Sequence, residues 1–166
     1  MDDSPSFERT LNAEQRRATT YRLLSVLYRQ PNNQPERPLD GTDPVEIDVE
    51  RFRDAMPEPK QRRLDHAQLF VGPFDLTAPP YESVYVDEET RVMTDTTAAV
   101  QAKYHEAGVD IDIDEPADHI APQLEFVSLL VTTECEALAA GEFEAVEHYL
   151  DRQYEFLTTH LGRWLS

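Results

Sequence analysis

Apolar residues recur along this chain at helical spacing in nearly every long segment. Phe7, Leu11, Ala18, Tyr21, Leu24 and Tyr28 fall near one stripe, and Leu23, Val26 and Leu27 widen it, which predicts a helix from about Glu8 to Arg29. Residues 1–7 read as disordered ahead of it. Pro31 closes this helix, and the proline-rich stretch 31–44 reads as a loop. A short helix over Val45–Met56 uses Ile47, Phe52 and Met56. After Pro57 and Pro59 a further helix over Lys60–Phe70 turns Leu64, Ala67, Leu69 and Phe70 inward. Glu88–Ala107 is helical through Val92, Met93, Ala99, Val100 and Tyr104, and Gly108 stops it. Ile120, Leu124, Val127, Val131 and Leu138 mark a central helix over Asp118–Ala140, ended by Gly141. Phe143, Val146, Leu150, Tyr154, Leu157, Leu161 and Trp164 form one long stripe in a last helix over Glu142–Leu165.

Two connections break the pattern. Val71–Asp87 is rich in proline and aromatic residues and must pack on something. Val109–Asp114 alternates apolar and acidic residues and reads as a solvated hinge. The hinge leads into Glu115-Pro116-Ala117-Asp118-His119, where Asp118 is the expected N-cap of the central helix. The sum is an all-α, single-domain helical bundle over residues 1–166.

Charge and chemistry narrow the function. With 15 basic and 33 acidic residues the formal net charge is −18. That disfavours nucleic acid, whose binders need a basic face. The acids are spread along the chain, which favours adaptation to a salty, halophilic interior over a single basic partner. No apolar run is long enough for a membrane helix, and the acidic N-terminus is unlike a secretory signal, so the expected location is cytoplasmic. The one cysteine, Cys135, excludes an internal disulfide, and neighbouring acids disfavour its thiolate. No His-Glu-x-x-His, phosphate loop or nucleophile elbow is present, so neither metal nor cofactor is expected. His119 beside Asp118 and Glu115 is the strongest option for acid–base chemistry, as in a small hydrolase or isomerase. Neighbours on a helix do not share a face, however.

Two stretches carry a resemblance. Ala78-Pro79-Pro80-Tyr81-Glu82-Ser83-Val84-Tyr85, preceded by Leu69-Phe70-Val71-Gly72-Pro73, and Glu115-Pro116-Ala117-Asp118-His119-Ile120, followed by Leu124-Glu125-Phe126, together resemble the TorD/DmsD family of chaperones for molybdenum enzymes. His160-Leu161-Gly162-Arg163-Trp164 looks similar too. Gln123 departs from the family, where an acid commonly stands. The resemblance implies a non-enzymatic, cytoplasmic protein. It would bind the twin-arginine signal peptide of a molybdopterin oxidoreductase precursor of the dimethyl sulfoxide reductase type, and assist cofactor loading before export. A permanent accessory subunit is the neighbouring reading, and the protein would be a monomer or homodimer. A receptor for two arginines and an apolar segment wants carboxylates beside an apolar groove. Glu82, Glu115 and Asp118 are the candidates for the first need, and Phe74, Pro79, Pro80, Tyr81 and Tyr85 for the second. Ser83, Pro116 and His119 complete the two motifs.

Overall fold

The computed structural model describes residues 4–29, 43–45, 47–71, 77–87, 94–112 and 114–165. Most of the loop expected at 31–44, and Phe74, Val92 and Met93, lie outside these residues. The described chain is helical: α1 (Ser4–Tyr28), α2 (Val49–Ala55), α3 (Pro59–His66), α4 (Glu82–Val86), α5 (Asp95–Glu106), α6 (Ile120–Ala140), α7 (Phe143–Phe156) and α8 (Gly162–Trp164). The helix α3 runs on as a π-turn over Ala67–Val71, and α7 as another over Leu157–Leu161. The helix α1 starts at Ser4, so Phe7 is helical rather than part of a disordered lead-in.

The helix α6 is the centre of the bundle. Thirteen of its 21 residues are buried, so it is enclosed on most sides. At about 1.5–3 kcal/mol for each fully buried large side chain, Leu124, Phe126, Val127, Leu130 and Val131 make it the main source of stability. The helix α1 lies against it, and Ser128 Oγ donates to the Ala18 carbonyl at 2.9 Å. The ion pairs Arg17–Glu134 and Arg29–Glu125 show that α1 runs antiparallel to α6. On another side, Tyr104 of α5 and Phe156 of α7 close on Phe126, with ring centroids 4.7 and 4.8 Å from it. Gly141 ends α6 at φ +76°. Its N–H donates to the Leu138 carbonyl, and the Glu142 N–H to the Ala137 carbonyl. This paired arrangement needs a left-handed residue, and glycine takes that conformation at little cost. Among the described residues no helix is long and apolar enough to cross a membrane.

Three expectations from the sequence need correction. The stripe of the last helix divides: Phe143, Leu150 and Tyr154 are 70, 45 and 73% exposed, whereas Leu161 is buried and Leu157 and Trp164 pack on the core. The buried face is turned towards Gln153 and Phe156, because Gln153 bonds Arg17 and Glu134 and so satisfies its amide inside. Leu64 and Leu69 of the α3 region are exposed, as is Ala67. Only Phe70 turns in, 6.1 Å from the Tyr28 ring. Ala99 is exposed, while Val100 and Tyr104 of the same helix are buried.

Candidate functional site

The two irregular connections meet. Tyr81 and His119 form an isolated antiparallel bridge. The Ile120 N–H donates to the Pro80 carbonyl at 2.9 Å, and the Glu82 N–H to the Asp118 carbonyl at 3.0 Å. Residues 80–82 are therefore tied to residues 118–120 by main-chain bonds, just where α6 begins. Past this junction the chain turns into α4, a five-residue helix that its loop-like composition conceals.

Beneath the junction lies a buried polar network. Asp118 is fully buried. Its Oδ2 accepts the Ser83 N–H at 3.1 Å and its Oδ1 accepts the Thr97 hydroxyl at 2.9 Å. It thus pins α4 and α5 to the start of α6 and is not the cap of α6. The cap is His119, whose Nδ1 accepts the Ala121 N–H at 3.0 Å. Glu82 is also fully buried. Gln123 Nε2 donates to it at 2.8 Å, and His160 Nδ1 lies 3.1 Å from it. Gln123 therefore has a physical role: an acid in its place would set a second carboxylate against Glu82 in the interior. The Ser83 hydroxyl is buried and has no hydrogen-bond partner among the described residues.

This changes the roles of the sequence candidates. Glu82 and Asp118 cannot receive arginines from outside, because both carboxylates are buried and already engaged. Pro80, Ser83 and His119 are buried with them. The accessible part is a rim. Tyr85 is 51% exposed and stacks on Trp164 with ring centroids 5.4 Å apart. Pro79, Tyr81, Glu115 and Pro116 are half-buried, and Asp112 and Asp114 beside them are exposed. Phe74 lies outside the described residues. His160, Thr97 and Trp164 belong to the frame without having been candidates. His160 and Trp164 stand in the terminal motif noted above, whereas nothing local marks Thr97.

The electrostatics agree with a frame and a rim. Burial, then the nearby His66, depresses His119 to about 4, while Asp118 works in the other direction. A neutral, buried imidazole that already accepts a main-chain N–H is ill suited to proton transfer. The Tyr81 phenol is pushed up, first by burial and then by Glu115 and Asp118, with Glu115 also accepting its hydrogen bond. Glu115 and Tyr81 thus present a carboxylate and a phenol side by side at the rim. Cys135 is raised to about 11, mostly by burial, so it is inert as a nucleophile. Among the described residues no group of three or more histidine, cysteine or acidic side chains could hold a metal.

Residues 42–166 match the family model described as the nitrate reductase delta subunit. The Tat proofreading chaperone DmsD of Salmonella paratyphi A is 30% identical over 116 residues, covering 64% of this chain and 54% of that protein. The chaperone protein TorD of Aliivibrio fischeri is 30% identical over 103 residues, covering 60% of this chain and 46% of its own. TorD of Photobacterium profundum is 28% identical over 173 residues, covering 92% of this chain and 79% of that protein. The chain spans about half the length of the first two of these relatives. Among solved structures, a candidate redox enzyme maturation protein from Archaeoglobus fulgidus superposes with a TM-score of 0.56 at 20% identity, covering 84% of this chain and 90% of that one. That likeness shows the fold.

Proposed function

The chain belongs to the nitrate reductase delta subunit family, and on that premise we propose that it is a non-catalytic maturation chaperone for a molybdopterin oxidoreductase of the dimethyl sulfoxide reductase type. It acts in the cytoplasm on the enzyme's precursor. By holding the N-terminal twin-arginine segment it keeps the client from export while the cofactor is inserted. The observation that carries this reading is the rim over the 80–82/118–120 junction. Aromatic and proline surface (Pro79, Tyr81, Tyr85) stands beside exposed or half-exposed carboxylates (Asp112, Asp114, Glu115). A twin-arginine segment offers the complement, two guanidinium groups followed by an apolar stretch. The buried network beneath holds the rim in place without itself touching the client. The hydrolase or isomerase alternative loses its base, since His119 is the helix cap.

Calorimetric titration with a synthetic twin-arginine signal peptide tests the reading. The double variant D114N/E115Q is expected to weaken binding about tenfold or more, the loss of one to two charge-assisted contacts. A peptide with both arginines changed to alanine should bind as poorly to the parent protein. Undiminished affinity in a folded double variant would remove the rim from the mechanism. The family description itself favours one other reading, a standing accessory subunit. Co-purification with mature, cofactor-loaded enzyme rather than with precursor would establish that instead.

A further inference from the structure

The rim has two chemically unlike ends. At one of them Glu115 accepts the Tyr81 phenol, and Asp112 and Asp114 stand exposed beside it. Tyr81 immediately precedes α4, and Tyr85 lies one turn further, about 6 Å along and on the same side of the helix. Here the surface turns apolar. Tyr85 is 51% exposed and stacks on Trp164, and the residue after Trp164, Leu165, is 52% exposed. This end also carries a cation, Arg163, exposed on α8. The acid near it, Asp87, is engaged by the hydroxyls of Thr94 and Thr96, and those bonds first, then Arg163, hold its carboxyl below the usual range. Carboxylates thus gather before α4, and hydrocarbon with a guanidinium beyond it.

The apolar end is built into the fold. His160, in the π-turn just ahead of α8, lies 3.1 Å from the buried Glu82 of α4, and the Leu165 N–H donates to the Leu161 carbonyl at 3.2 Å. Trp164 packs against the core with one side and against Tyr85 with another. Leu165 is therefore held at a set distance from α4, and a ligand that meets such preorganised surface orders little on binding. Resting on the maturation-chaperone reading, we infer that α8 belongs to the client site and sets the direction in which the client lies. The twin arginines take the end formed by Asp112, Asp114 and Glu115. The apolar stretch that follows them runs along α4 and seats on Tyr85, Trp164 and Leu165. The reverse direction would bring two guanidinium groups to Arg163 and leave the carboxylates facing hydrocarbon.

Trp164 is the only tryptophan of the chain, so its emission reports on this end alone. Titration with a synthetic twin-arginine signal peptide should shift it, and a peptide cut off after the arginines should not. L165S is expected to weaken the full peptide about fivefold or more, and to weaken it no further once the peptide's apolar residues are changed to serine. Leu165 is exposed, so far-UV circular dichroism of L165S should match the parent. Direction is read by photo-crosslinking. A benzophenone placed in the apolar stretch should label Tyr85, Trp164 or Leu165, and one placed ahead of the arginines Asp112, Asp114 or Glu115. The opposite labelling, or the same labelling from both positions, would overturn the inference. So would a silent Trp164 and a neutral L165S on a peptide whose affinity still falls in D114N/E115Q, an outcome that keeps the rim and removes α8 from it. Affinity indifferent to D114N/E115Q would remove the rim, and this inference with it.

Discussion

At the scale of single residues, His119 is the group whose chemistry most departs from its surface expectation. In the unfolded chain it titrates near 6.5, and in the folded chain near 4, chiefly because it is buried. Above pH 6.5 it is neutral in both states and its contribution to stability is complete. As pH falls through the interval from about 6.5 to 4, the unfolded chain takes up a proton that the folded one refuses. Stability should therefore drop by about 3 kcal/mol from this group alone. The variant H119N keeps a side-chain acceptor for the Ala121 N–H and has nothing to titrate. Urea midpoints measured across that interval should fall less steeply for H119N than for the parent, and parallel slopes would show that the imidazole is protonated in the folded state. The sequence places a cap at the entrance of α6 but names the wrong residue. Asp118 has the better capping chemistry, yet its carboxylate is drawn inward by donors 35 and 21 residues away, Ser83 and Thr97. No local rule reports on such partners.

At the scale of elements, helix positions are legible where apolar spacing and glycine stops coincide, as at Val100–Gly108 and Ile120–Gly141. Faces are less legible. The first part of the last helix turns Phe143, Leu150 and Tyr154 outside, since a polar residue, Gln153, takes the buried place by bonding Arg17 and Glu134, and only from Leu157 on does the stripe turn inward. The same helix widens into a π-turn over Leu157–Leu161, which brings His160 to Glu82. Gly162 follows, and a Cβ there would sit 2.6 Å from the Leu157 carbonyl oxygen. Its φ is −69°, so the constraint is one of space rather than of backbone handedness. G162A is expected to cost about 1–3 kcal/mol, as overpacking does, and to shift the emission of Trp164, which stacks on Tyr85. Thermal unfolding together with tryptophan fluorescence checks this. An unchanged midpoint and emission would mean that the turn yields freely.

For the whole molecule, a net charge of −18 imposes self-repulsion that the compact state feels more than the unfolded one. The Debye length falls from about 10 Å at 0.1 M salt to about 3 Å at 1 M. The melting temperature should therefore rise as sodium chloride is raised towards molar, in keeping with the salt adaptation read from the dispersed acids. A melting temperature independent of salt would count against that adaptation. The rim and its support divide differently. The strip at 80–82 is joined to 118–120 through carbonyl and N–H groups, which every residue but proline supplies in full. The exposed or half-buried side chains of Pro79, Tyr81, Tyr85, Asp112, Asp114 and Glu115 can consequently change without loosening the main-chain seat that presents them. Under the proposed function, such a design separates inheritance of the scaffold from choice of client: the rim is free to diverge while the frame beneath it stays the same.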